Sequence, residues 1–167
     1  IMPSLVGSEM CIRDRVGFAT AMFGLVAADN FLLMYVFWEI TSMLSYLLVS
    51  YYAERASSRR AAQQALMVTA LGGLSMLMGI ILLGRQTGAW TFSDIAAYQH
   101  FAQTPFVTVA IVLILAGALT KSAIAPAHFW LPGAMAAPTP VSAYLHSAAM
   151  VKAGIYLIGR LAPSMYE

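Results

Sequence analysis

"LTKSAIAPAHFWLPGAMAAPTPVSAYLHSAAMVKAG", residues Leu119–Gly154, sets two lysines, two histidines and four prolines into an otherwise apolar run. A plain membrane anchor has no use for Lys121, His128, His146 and Lys152, and the stretch is too greasy for a soluble active site. The remaining sequence identifies the solvent. Of 167 residues, 60% are hydrophobic and 10% charged, with a mean hydropathy of +0.76. A soluble domain has roughly 25% charged residues, so this protein is built for lipid. Its net charge of +2 is too small to suggest a nucleic-acid partner.

A spanning helix needs about 20 apolar residues. Val16–Ala28 is shorter and reads as the truncated end of a span, closed by a polar Asp29-Asn30 turn. Phe31 to about Tyr52 is the first full span, broken only by Glu39 and small hydroxyls. "AERASSRR" (53–60) makes a loop, and Ala61 to about Leu83 is the second span, with Gly72, Gly73 and Gly79 permitting close helix approach. In the polar 84–104 connection Ser93 is the expected cap of a short interfacial helix. Phe106–Leu131 is the third span, interrupted by Pro126; a fourth is capped by Thr139, starts at Pro140 and ends near Leu161. The expectation is an all-α membrane protein: a bundle of about four full transmembrane helices plus one truncated helix, with Lys121 on a proline-broken helix. Arg55, Arg59 and Arg60 put the 53–60 loop in the cytoplasm. Arg160 is then a dissenting charge on the outer side.

Ile1–Arg15, "IMPSLVGSEMCIRDR", changes composition abruptly at Val16 and lacks the layout of a signal peptide. It resembles translated sequencing adaptor and reads as a non-native artefact, with residues 16–167 as one partial transmembrane domain. An amphipathic connector before the first helix is the alternative. The sole cysteine, Cys11, lies in this segment and says nothing about redox compartment.

Glu39, Lys121 and Lys152 each fall near the middle of a span. A charge at a helix centre costs about 2.5–3.5 kcal/mol before pairing, so all three are expected to face one another or a hydrated interior. Aligning span midpoints separates Glu39 from Lys121 by roughly 8 Å in depth, most of which is within a lysine's reach. A fixed Glu39–Lys121 pair could simply specify packing. The functional reading is titration: burial disfavours a lysine's charge and a nearby carboxylate favours it, so proton movement at one group alters the other. His146, on the inner half of the helix bearing Lys152, is a candidate proton relay or a polar contact to a neighbouring helix. His128 would stack on Lys121 in an unbroken helix; Pro126 spoils that geometry but frees backbone carbonyls beside Lys121. A broken helix with a mid-depth charge is a common design for an ion pathway, although proline can also serve as a packing kink. His100 reads as solvated.

No HExxH, CxxC or Gly-rich phosphate loop occurs, and the histidines are widely spaced. Neither a metal site nor a cofactor is expected, and nothing looks catalytic.

The blocks "HFWLPGAMAAPTPVSAYLHSAAMVKAGIYLIGRL" (128–161), "GALTKSA" (117–123) and "VFWEITSMLSYLLVSYY" (36–52) resemble the antiporter-like proton-channel family. Its members include the large subunit of Mrp-type multisubunit cation/proton antiporters and the antiporter-like subunits of respiratory complex I. The resemblance runs from about Val16 to Leu161 and implies most of the first of two inverted five-helix units. It also implies proton translocation through Glu39, Lys121, His146 and Lys152, with His128 and Pro126 along the pathway. Sodium or another monovalent cation would be exchanged, by a multi-pass subunit of the inner (plasma) membrane working with other antiporter subunits. The complex I paralogues are expected to have an acid in place of Gly133 and no lysine at position 152, so the Mrp type is closer.

Two other readings remain open: a proton-pumping subunit of a complex I or hydrogenase-type respiratory complex, and a structural segment whose charges only set helix packing. If Ile1–Arg15 is foreign, deleting it from the complete protein should leave membrane yield and activity unchanged. Loss of assembly on deletion would assign those residues to the protein.

Overall fold

The computed structural model describes residues 3–50, 56–97, 105–135 and 150–165, which are helical apart from short turns and a single isolated bridge. Helix α1 spans Pro3–Ala27, α2 Phe31–Val49, α3 Ala56–Thr87, α4 Phe92–Ala96 and α5 Pro105–Lys121. A 3-10 turn at Ala127–Phe129 leads into the short α6, Trp130–Ala134, and α7 covers Met150–Met165. Helices α2 and α3 are long and apolar enough to cross a membrane, while α5 is apolar but shorter. The expected Thr139 cap and Pro140 start lie outside the described residues. Helix α1 continues through Val16 without a break, so the composition shift there leaves no mark on the backbone.

Asn30 starts α2 because its Oδ1 accepts from Leu32 N (2.9 Å) and Leu33 N (3.2 Å), satisfying N–H groups that a helix start leaves without partners. At the same end, Phe31 N donates to Trp90 O and Phe92 N to Asp29 O, each at 3.0 Å. The turns before α2 and α4 are thereby laced together. The cap of α4 is Thr91, whose Oγ1 accepts from Asp94 N at 3.0 Å. It is not Ser93, which lies inside the helix and donates to Asp29 Oδ2 at 2.8 Å. Thr91 has the extended backbone that a capping residue requires.

Arg160 fastens α7 to this end. It pairs with Asp29 (3.2 Å), donates to Ala28 O (2.6 Å) and lies 4.1 Å over the Phe92 ring. A cation that looks misplaced in the charge pattern is therefore matched by an acid, by carbonyls and by an aromatic face.

The most extensive helix pair is α3 with α5, and small residues permit it. A Cβ at Gly117 would meet Gly72 O at 2.5 Å and Met76 Cβ at 2.6 Å; one at Gly79 would meet Ala110 O at 2.6 Å. Ser75 Oγ bridges the same two helices by donating to Leu113 O at 3.0 Å. Such backbone approach is how helices associate where lipid supplies no hydrophobic drive between them.

The interior is layered. One apolar cluster gathers Leu25, Met34, Trp38, Met76, Ile80, Ile114 and Leu157; a second gathers Phe18, Leu48, Ala62, Ala65, Trp130 and Met150. Along α2, α3 and α5 the residues between these clusters are Thr41, Ser42 and Ser45, then Thr69, then Lys121 and Ser122, all buried. A polar layer therefore crosses the bundle between two apolar ones. Gly117→Val should place two methyls against α3 and destabilise the complete protein by about 1–3 kcal/mol, read as a lower melting temperature in detergent. An unchanged melting temperature would mean that α3 and α5 do not approach as described.

Candidate functional site: a buried lysine between two helices

Lys121 is the last residue of α5. The helix stops there, earlier than the proline that ends it, because a proline ring clashes with the carbonyl four residues back, and four before Pro126 is Ser122. The hydropathy pattern puts the interruption at Pro126 and Lys121 near mid-span; the structure places Lys121 at the C-terminal end of a half-helix. That end bears the negative pole of the helix dipole, which favours a cation. Thr120 O, left with a 3.3 Å bond from Ala123 N, also accepts from Trp130 Nε1 at 3.0 Å, so α6 folds back to close the break.

The Lys121 side chain is fully buried. Its Nζ donates to Trp38 O (2.6 Å), Thr41 Oγ1 (2.6 Å) and Ser42 Oγ (3.0 Å), and lies 4.5 Å from the centroid of the Trp38 ring. All three acceptors belong to one turn of α2, the turn that holds Glu39. The depth offset expected between Glu39 and Lys121 is thus spanned by the length of the lysine side chain.

Glu39 is half-buried on that turn. It makes no ion pair with Lys121; among the described residues the ion pair is Arg160–Asp29. Its Oε1 is shielded and accepts no hydrogen bond, and Tyr35, one turn earlier, is a polar neighbour of the carboxylate. The carboxylate lies against the backbone of α3 at Gly73, where any Cβ would collide with Oε1. A buried oxygen without a donor is costly and is the kind of acceptor that a proton satisfies.

The other expected residues are distributed differently. Lys152 sits on the exposed face of α7, whose Ala153, Leu157 and Leu161 are buried, and is not brought to Lys121. His128 and Pro126 are exposed at the break. His146 and His100 lie outside the described residues. Thr41, Ser42, Gly73 and Trp130 were missed as site residues. The signal for Thr41 and Ser42 is the "WEITS" run (38–42), which puts two hydroxyls on the same turn as an intramembrane acid; nothing in the sequence marks Gly73 or Trp130 for the site.

The family described as NADH:quinone oxidoreductase/Mrp antiporter, transmembrane, matches residues 28–167. A protein of Staphylococcus epidermidis named Na(+)/H(+) antiporter subunit A1 is 51% identical over 147 residues, covering 87% of this chain and 18% of that protein. A Staphylococcus aureus protein of the same name matches with the same identity and coverage. The chain thus spans less than a fifth of the length of these relatives. Among solved structures, the Mrp complex from Dietzia sp. superposes with a TM-score of 0.79 at 44% identity, covering 85% of this chain and 16% of the matched one. The archaeal membrane-bound sulfane sulfur reductase, a respiratory membrane complex, gives a TM-score of 0.79 at 27% identity, covering 86% and 29%.

Replacing Lys121 by methionine separates a packing role from a chemical one. The Thr41 and Ser42 hydroxyls would keep Trp38 O as their acceptor, at 2.7 and 3.1 Å, so no hydroxyl loses its acceptor and a costly charge is removed. Lys121→Met in the complete protein should insert normally and melt at or above the wild-type temperature. Failure to insert would identify a fixed structural lysine.

Proposed function

The chain belongs to the NADH:quinone oxidoreductase/Mrp antiporter transmembrane family, and on that premise we propose that it is part of the large subunit of an Mrp-type sodium/proton antiporter of the plasma membrane. It would work with the other subunits of that complex and move protons by titration of Lys121 under the influence of Glu39. The observation that supports this reading is the fully buried Lys121 ammonium on the Glu39 turn without an ion pair to it. A lysine kept only for packing would be expected to close a bridge with the acid beside it. Here the acid instead keeps an oxygen open.

In this reading Glu39 tunes the lysine at short range, and His146 and Lys152 continue the proton path toward other parts of the subunit. His128 and Pro126 border the break through which water or an ion would reach Lys121. The arginine-bearing 53–60 segment, helical from Ala56 onward rather than the loop expected, faces the cytoplasm, and Ile1–Arg15 is foreign sequence. A redox-driven proton-pumping subunit is the second reading, favoured by the equal TM-score of the respiratory membrane complex; the higher identity to the Mrp complex argues for antiport. The subunits that co-purify with the complete protein separate the two: small antiporter subunits for one, iron–sulfur or flavin subunits for the other.

Four substitutions in a complete antiporter test the mechanism, with exchange rate measured against pH and normalised to membrane-inserted protein. Lys121→Ala should abolish exchange. Lys121→Arg should lower it severely, because guanidinium does not release its proton. Glu39→Gln should cripple exchange, and Glu39→Asp should keep part of it on a shorter arm. Wild-type exchange by Lys121→Arg would rule out titration of this lysine.

A further inference from the structure

A lysine ammonium has three N–H donors and no lone pair, whereas the neutral amine has two donors and one lone pair. A buried lysine that titrates therefore changes what it asks of its surroundings, and a fixed set of acceptors serves only one of its states. The surroundings of Lys121 are three oxygens, Trp38 O, Thr41 Oγ1 and Ser42 Oγ, one for each ammonium proton. Two of these belong to hydroxyls, which donate as well as accept. With the lysine charged, both hydroxyl protons point at Trp38 O, from 2.7 and 3.1 Å. That carbonyl then receives both hydroxyls and the ammonium, which crowds its two lone pairs.

Transfer of one proton from Nζ to a water molecule reaching it through the helix break leaves a lone pair that rotation about the Cε–Nζ bond can turn toward either hydroxyl oxygen, both already at hydrogen-bond distance. Rotation of one hydroxyl about its carbon–oxygen bond turns the O–H from Trp38 O onto the nitrogen, relieving the carbonyl. No heavy atom has to move, and the hydroxyl keeps its own proton. We infer that Thr41 and Ser42 are positioning residues that hold Lys121 in one place through both of its charge states by reversing the direction of a single hydrogen bond. Burial of Thr41 (0% exposed), Ser42 (1%) and Lys121 (0%) keeps bulk water from taking over this role. Glu39, on α2, is the one described titratable group that acts on the ammonium; α3, α6 and α7 bring no other to it.

This inference rests on the reading of Lys121 as a titrating group, and the two can fail separately. In a complete antiporter, exchange is measured against pH for Thr41→Val, Ser42→Ala, the double variant and Thr41→Ser, each normalised to inserted protein. The double variant should move the midpoint of the profile toward lower pH by about one unit, because the charged amine loses two acceptors. Each single variant should move it by less, and Thr41→Ser, which keeps the hydroxyl, should retain the wild-type midpoint. Should the double variant fail to insert, the single variants decide. A fall in rate with an unmoved midpoint, or a Thr41→Ser profile displaced like that of Thr41→Val, would overturn the cradle and leave the titration reading intact. Full exchange by Lys121→Ala would overturn the titration reading itself.

Discussion

Everything in this bundle accommodates one ammonium group in a place where charge is expensive. The Lys121 amine is fully buried and takes three oxygens from a single turn of α2. For α5 to deliver it there, the helix must end at that residue, and Pro126 ends it. For α5 to come near enough, α3 must present Gly72 and Gly79 to it. The break is then stabilised by Trp130, whose indole donates to Thr120 O beside the weaker backbone bond from Ala123 N. Proline, glycine and tryptophan thus serve the same constraint by different physical means.

The layering of the interior follows from that constraint. A lone polar group among apolar side chains leaves its partners to chance, whereas polar residues concentrated at one depth can satisfy one another. Thr41, Ser42, Ser45 and Thr69 each donate to a carbonyl of their own helix, so the hydroxyls of this layer keep an acceptor whether or not a neighbour changes charge. The apolar clusters on either side supply the packing. Three buried atoms in the site stand outside this pattern of satisfied bonds: Trp38 Nε1, Glu39 Oε1 and Ser122 Oγ. The first belongs to the cradle itself, and the other two lie on residues adjoining it or the lysine.

The spans were legible in the sequence because lipid demands long apolar helices, and Phe31–Val49 and Ala56–Thr87 fall close to where hydropathy puts them. Glu39 and Lys121 were legible for the complementary reason, that intramembrane charges are rare. Three features were hidden. The break begins at Ser122 rather than Pro126, since proline acts on the turn before it. Thr91 rather than Ser93 caps α4, a choice decided by backbone angles that two hydroxyl residues two positions apart do not reveal. The Lys121 acceptors are ordinary helix residues, and only the approach of α5 to α2 turns them into a cradle. Lys152 points the other way on α7 because the small and branched residues Ala153, Leu157 and Leu161 claim the inner face. Arg160 looked discordant in the charge count and is accounted for by Asp29, a partner distant in sequence.

The ring beneath the ammonium gives the site an optical aspect. Lys121 Nζ lies 4.5 Å from the centre of the Trp38 indole, a ring with no solvent exposure. A positive charge held at that distance stabilises the ring's electrons through its quadrupole, and a neutral amine does so far less. Indole absorption and emission depend on local fields of this kind. Taken as the difference between the complete protein and its Trp38→Phe variant, the ultraviolet spectrum of Trp38 becomes an intrinsic record of how much charge sits on the neighbouring lysine, readable while ions move and without any added dye.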